Sequence, residues 1–506
     1  MRGSMGMRKA IAVLLAAMLW AAAPAGPAAA QQPPGGGAAQ LLVVQRFVLG
    51  PSEILTEEEL AAVAGRYIGR PMPVDELYAM VAELDALYEA KGFVGRAVLP
   101  PQTIADGVVE VQLIEGRIHQ IVVSGNDRTR TEFITKRLGL APGDLVDLNK
   151  MADGLAVFNT AYDVALRAEL RPGAEFGTTD YVVYAQEPKN DRFTFWIDNG
   201  GRFQTGEDRY AFSWTRASLL GYRDALGVSL SASRGTRSAS LTYSVPAGLR
   251  GARVGASYTF SQLDIVEGPF EVAKLRNHLS NAQLNVQVPF GLTARWPGSW
   301  SLSYHHQDSL MFWEGHELPE THKVTGAWEA GVRAATVAGA SQWDFGYTLR
   351  SVSDQQEGKS YTIHRLSASW RRPVWAGVLQ AGVSGQLSDG VLLPQAEQYS
   401  IGGSESVRGY QAGQGLGDAG YNVYLAYSVP LTARMEGTLH IDHGGVYPYK
   451  GDDQPVSEED FLTSAAVSVS ARLTDLLSLR MQWGFPLDAH AAGLGNTFYF
   501  RLQAAF

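Results

Sequence analysis

The 506-residue chain contains no cysteine, so it can form no disulfide, no thiolate metal site and no cysteine nucleophile. Its stability has to come from packing and hydrogen bonding alone. Past residue 30, no uncharged apolar run reaches the roughly 18 to 20 residues that a membrane-spanning helix needs. A passage through a bilayer would therefore have to use strands. Also missing are a Gly-x-x-x-x-Gly-Lys phosphate loop, a His-Glu-x-x-His helix and a Gly-x-Ser-x-Gly turn, which leaves no motif for nucleotide, zinc or serine chemistry. The nearest approaches to a catalytic or ligand cluster are His305-His306 with Asp308, and His440 with Asp442 and His443. On strands that line a polar lumen such histidines serve as filler more often than as ligand or base, so no catalytic residue, metal or cofactor is expected.

What is present begins with an export signal. Arg2, Arg8 and Lys9 precede an apolar core from Ala10 to Ala23, and Ala28-Ala29-Ala30 supply a small-residue cleavage site. Removing residues 1–30 takes three cations from a chain of net charge −9 and leaves −9 − 3 = −12. That surplus of acid argues against nucleic acid as a partner. Residues 31–40, Gln-Gln-Pro-Pro-Gly-Gly-Gly-Ala-Ala-Gln, form a flexible linker with nothing to bury and too little length for a plug helix.

Residues 41–115 and 116–189 carry one pattern twice. The first copy reads as a strand Leu41 to Leu49, a helix opening at Thr56 with Glu57, Glu58 and Glu59 in its first turn, a helix from Val74 to Lys91, and strands Gly95 to Leu99 and Gly107 to Glu115. In the second come strand Ile118 to Ser124, helices Arg130 to Leu138 and Leu148 to Ala161, and strands Val164 to Leu170 and Thr179 to Glu187. This β-α-α-β-β order resembles the polypeptide-transport-associated (POTRA) domain. Lys91-Gly92-Phe93, Leu99-Pro100-Pro101-Gln102 and the junction Ile114-Glu115-Gly116-Arg117-Ile118 carry the likeness. A short sheet leaves edge strands to which an extended peptide can add. A pair of inert spacers is the plainer reading.

From residue 190 to 506 the helical period disappears and two-residue alternation takes over. Sixteen strands are predicted, starting near residues 191, 207, 222, 236, 251, 276, 297, 323, 340, 361, 374, 420, 432, 461, 473 and 496. The final one puts Phe498, Phe500, Leu502 and Phe506 on one face and Tyr499, Arg501 and Gln503 on the other, a lipid-out, lumen-in pattern. Short turns such as Ala247 to Arg250 alternate with long loops such as Asp308 to His322 and Ser388 to Ala419. That is the habit of an outer-membrane barrel and not of a soluble sandwich. The terminal Phe506 resembles the aromatic C-terminal signal of bacterial outer-membrane proteins.

Within the glycine-rich loop 388–419, Val407-Arg408-Gly409-Tyr410 presents one conspicuous cation, and the strand after next offers Asp442 as a planar partner. Taken by itself, Arg408 is a solvated loop cation and Asp442 an unrelated carboxylate. Together with the repeats, the motif resembles the outer-membrane exporters of two-partner secretion, the haemolysin and filamentous-haemagglutinin exporters. The likeness covers nearly all of the mature chain. It departs at His440, where the family usually has an aromatic residue.

The resemblance implies POTRA-like repeats in the periplasm that catch an unfolded secreted partner, a large β-helical exoprotein. A 16-stranded outer-membrane barrel then conducts it without ATP, and folding outside prevents return. It further implies that Arg408 on Asp442 pins the loop inside the lumen, with outer-membrane lipid and the barrel-assembly machinery as further partners. Three alternatives stay open: an assembly factor of the same superfamily, a passive porin, and a barrel hydrolase.

Overall fold

Thr56 accepts from the Glu59 N–H while the Glu59 carboxylate accepts from the Thr56 N–H, and this capping box starts the helix Glu57–Ala64. Gly92 in a left-handed conformation ends the helix Asp75–Lys91, and Gly139 does the same for Thr131–Leu138. The computed structural model describes residues 41–356, 358–390, 392–448, 456–488 and 495–506. It divides after residue 188 into two units. The expected signal 1–30 and linker 31–40, with the expectation of no plug helix there, lie outside the described residues.

In the first unit, β1 (Leu41–Val43) pairs with β3 (Pro71–Pro73), and β2 (Arg46–Leu49) runs parallel to β5 (Val108–Glu115). β4 (Gly95–Val98) lies antiparallel on the other side of β5. The strand expected over 41–49 is thus two strands. Gln45 and Arg46 both give their N–H to the Gly107 carbonyl, at 2.8 and 3.3 Å, which turns the chain from one partner to the other. The second copy repeats the arrangement: β6 (Arg117–Ser124) parallel to β8 (Thr178–Gln186), and β7 (Ala165–Pro172) antiparallel to it. Each copy has its own apolar core, around Met80, Leu84 and Tyr88 in the first and Phe133, Phe158 and Val183 in the second.

In the second unit the strands close into a barrel. They are β9 (Asp191–Asp198), β10 (Arg209–Ala217), β11 (Ala225–Ala232), β12 (Thr236–Ala247), β13 (Ala252–Asp264), β14 (Leu275–Phe290) and β15 (Gly298–Trp313). After a stub β16 (His316–Glu317) come β17 (Lys323–Ala338), β18 (Ser341–Asp354), β19 (Ser360–Val374) and β20 (Gly377–Ser388). The loop 388–419 holds a small hairpin of β21 (Tyr399–Ile401) and β22 (Gly415–Gly417). The ring is completed by β23 (Ala419–Thr432), β24 (Met435–Tyr447), β25 (Phe461–Arg472), β26 (Leu477–Pro486) and β27 (Thr497–Ala505). Without the stub and the loop hairpin this makes sixteen wall strands, all antiparallel to their neighbours. The largest gap between an expected and an observed start is 477 − 473 = 4 residues.

β27 closes on β9 from Arg501 opposite Asp198 to Ala505 opposite Thr194. Phe506 extends this seam, giving its N–H to the Phe193 carbonyl at 3.0 Å. Phe498 and Phe506 are exposed on the outer face, as are Leu284, Trp300, Leu366 and Ile441. No helix among the described residues is long and apolar enough to cross a membrane, so an apolar outer band of strands is what can meet lipid.

Candidate functional site

The loop 388–419 folds into the barrel and fastens to the wall at its tip. Arg408 gives an N–H from Nη1 to Asp442 Oδ1 at 2.5 Å and its backbone N–H to Oδ2 at 3.3 Å. Asp442 is 0% and Arg408 8% exposed. Thr497 Oγ1 donates to the Arg408 carbonyl at 2.5 Å, and Tyr499 Oη to the Tyr410 carbonyl at 2.7 Å. Tyr410 Oη in turn donates to Asp488 at 2.6 Å. Val407 and Tyr410 are buried with Ile401, Val446 and Leu462. Gly409 follows from contact: a Cβ there would stand 2.7 Å from Ser464 Cβ and 2.8 Å from the Pro486 nitrogen. Only bare backbone fits against β25 and β26. The structure thus brings Val407, Arg408, Gly409, Tyr410 and Asp442 together.

A second fastening is absent from the sequence reading. Glu397 accepts from Arg350 Nε and Nη2 at 3.1 and 2.9 Å, and from Arg365 Nη2 at 3.2 Å. Gln386 gives its amide to the Glu397 carbonyl at 2.8 Å. Beside it Leu393 is buried among Ala327, Val352, Tyr361 and Ile363, and its N–H reaches Asp418 at 3.2 Å. The signal was available: Arg350 and Arg365 fall on the inward parity of their strands, and a cation there needs an anion from somewhere. Sequence spacing does not say that the anion sits in the loop.

The histidine clusters do not assemble. His305 contacts Ser303, His440 Nε2 lies 2.9 Å from Ser468 Oγ, and His443 bonds Tyr421 and Thr463. No group of three potential metal ligands occurs among the described residues. Of the C-terminal residues, Phe498 packs its ring 5.0 Å from Trp483 and stacks at 6.5 Å on Phe500. Leu502 pairs with Ile197 across the seam.

In the first unit a helix side chain caps the corresponding edge strand at one residue in both repeats. Asp85, on the helix Asp75–Lys91, accepts the Ala97 N–H of β4 at 2.7 Å. Asn159, on the helix Leu148–Ala161, accepts the Leu166 N–H of β7 at 2.6 Å and gives its own N–H to the Leu166 carbonyl at 2.9 Å. Burial lifts the Asp85 carboxyl above its usual range, although the Ala97 N–H and Arg96 favour its charged form. The outer edges of β2 and, beyond Ile118, of β6 carry no backbone partner among the described residues.

The repeats join through backbone. Gly116 N–H bonds the Val94 carbonyl at 2.8 Å, Val94 N–H the Val146 carbonyl at 3.0 Å, and Val146 N–H the Gly116 carbonyl at 2.8 Å. Next to this junction Glu115 feels burial that pushes its carboxyl up. Hydrogen bonds from Ser52, the Glu53 and Ile54 N–H groups and Tyr88 outweigh burial and hold it below the usual range.

Comparison with known proteins agrees with this architecture. The model of the family "Haemolysin secretion/activation protein ShlB/FhaC/HecB" matches residues 177–471, and that of the "POTRA domain, ShlB-type" matches residues 42–116. The heme/hemopexin transporter protein HuxB of Haemophilus influenzae is 21% identical over 465 residues, spanning 86% of this chain and 81% of the relative. The outer membrane transporter CdiB of Dickeya dadantii is 23% identical over 484 residues, with the same two shares. Among solved structures, CdiB from Escherichia coli superposes with a TM-score of 0.65 at 19% identity, covering 99% of both chains.

Proposed function

The chain belongs to the haemolysin secretion/activation family ShlB/FhaC/HecB, the outer-membrane transporters of two-partner secretion with periplasmic POTRA domains, and from that premise we propose how it works. It receives one secreted partner protein in unfolded form, conducts it through the barrel without ATP, and relies on folding outside the cell for direction. The observation that carries this reading is the loop 388–419 folded into the lumen and held by Arg408 on the buried Asp442. A sixteen-stranded barrel encloses an aqueous lumen unless something fills it, so a loop latched there narrows the passage and is held in a conformation competent for transport.

The capped edges narrow the docking step. With β4 and β7 capped by Asp85 and Asn159, an extended client segment would add to β6 past Ile118 or to β2. Val122 on β6 is 40% exposed, and the outer backbone groups beside it have no backbone partner among the described residues. The test is site-specific photocrosslinking in cells from position 122 and from position 96 on β4. The expected result is one dominant secreted product captured at 122 and none at 96. Capture of many outer-membrane barrels would favour the assembly-factor reading, and equal capture at both positions would remove β6 as the dock.

A further inference from the structure

Asp442 faces the lumen, and the cross-strand registers carried from it around the ring return to it without conflict, which assigns every wall position to the inside or the outside. One inward row reads Ser229, Ser240, Thr259, Asn281 and Gln307, each opposite the next on β11 to β15. The next row reads Gly227, Thr242, Ser257, Gln283 and His305. Apart from Arg253 near the short-turn end, the inward face of these five strands has no Asp, Glu, Lys or Arg. The fastenings of the loop described above end elsewhere, on β18 to β20, β24 and β27.

We propose that the exported polypeptide, extended and of mixed charge, runs along this uncharged wall of β11 to β15 while the loop stays fastened to the remainder. This inference rests on the transport reading and adds the route to it. The chemistry fits such a passenger. A chain with charges of both signs meets no fixed counter-ion at which to stall, whereas a wall of either sign would hold half of its side chains. The hydroxyls are also partly satisfied by one another: Ser238 Oγ lies 2.8 Å from Ser261 Oγ, and Thr259 Oγ1 donates to Ser240 Oγ at 3.0 Å. They wet the passage without presenting many unpaired groups to the passing backbone.

The experiment uses the full-length protein in planar bilayers with two synthetic unfolded peptides of equal length, one rich in lysine and one in glutamate. Each is added at the short-turn side. In the native protein both should interrupt the current with similar dwell times. In a Ser240→Glu, Thr259→Glu variant the lysine-rich peptide should dwell about three- to tenfold longer and the glutamate-rich one correspondingly shorter, as for charges meeting in a hydrated lumen. Ser367→Glu with Ser369→Glu, on the inward face of β19, should leave both dwell times within about twofold. Asn281→Asp, which keeps the side-chain shape, should repeat the first result at smaller size and guards against a barrel altered by two glutamates. Dwell times indifferent to charge on β12 to β14, or as sensitive to charge on β19, overturn the route. If neither peptide interrupts the current of the native protein, the transport reading itself falls.

Discussion

The two parts of the lumen wall differ more than their common strand pattern requires. On β17 to β20 and β23 to β27 the inward face carries Glu329, Arg350, Arg365, Asp442, Arg480 and Arg501, and from this side the loop is held. On β11 to β15 it carries mainly serine, threonine, asparagine and glutamine, with Arg253 near the short-turn end as its one Asp, Glu, Lys or Arg. Both walls border the same water, so solubility does not explain the contrast. Several charges of the first wall have a fixed partner: Glu397 for Arg350 and Arg365, Arg408 for Asp442, and Asp198 on β9 for Arg501. The ionic fastenings of the loop thus all end on the charged wall, and β11 to β15 offer it none.

The harshest way to break that contrast is to strand one buried charge. Arg408→Ala leaves Asp442 fully buried with no counter-ion, at a cost of about 3–5 kcal/mol to the seated loop. Barrel insertion should remain normal by heat-modifiable migration while export of the partner falls to a small fraction. Adding Asp442→Asn to that variant removes the stranded charge and should restore part of the loop's order, though not the export that depends on the latch. Native export by Arg408→Ala would take the latch out of the mechanism. Gly409→Val attacks the same seat without touching charge. Its Cβ meets the Ser464 Cβ on β25 and the backbone of β26 closer than 3 Å, so a loss comparable to that of Arg408→Ala is expected in the same secretion assay.

Glu397→Gln is milder. The amide keeps one acceptor for the two guanidinium groups but loses the charge, a change of about 1–3 kcal/mol. Because the native chain has no cysteine, a lone reporter such as Gln395→Cys reads the result directly. Maleimide labelling there should speed several-fold with Glu397→Gln and remain near the native rate with Glu436→Gln. Equal acceleration by both would mean that Glu397 adds only to lumen charge and fastens nothing.

How much of this is legible in the sequence follows from what periodicity encodes. Alternation of Phe498, Phe500 and Leu502 with Tyr499, Arg501 and Gln503 names the two faces of a strand, so the sixteen strands and their approximate starts were legible. So were the two repeats, and the meeting of Arg408 with Asp442 rested on the family resemblance. Partnership over long separations was not. Whether Arg350 meets Glu397, 47 residues away, depends on how the loop re-enters the ring, and no local pattern records that. The capped edges were equally hidden, since Asp85 and Asn159 look like ordinary exposed helix positions until the next strand is laid beside them. The break at Val44 and Gln45 was missed because both halves have strand-forming residues, and only the change of partner divides them.

The smallest expected effect sharpens the comparison from its quiet side. Ser240→Ala or Thr259→Ala deletes a hydroxyl whose partner on the neighbouring strand still faces water, so stability should change by no more than about 0.5 kcal/mol and export should stay native. The same deletion on the other wall is not equivalent. Thr497→Ala removes the donor to the Arg408 carbonyl and leaves a buried acceptor without it, worth about 1–3 kcal/mol to the seated loop. Side by side in one secretion assay, the two substitutions remove the same hydroxyl and differ only in whether the loop is its partner. A measurable loss from Thr259→Ala, equal to that from Thr497→Ala, would mean that the serine-rich wall has structural duties of its own, and the division of the lumen into a holding side and a passing side would no longer stand.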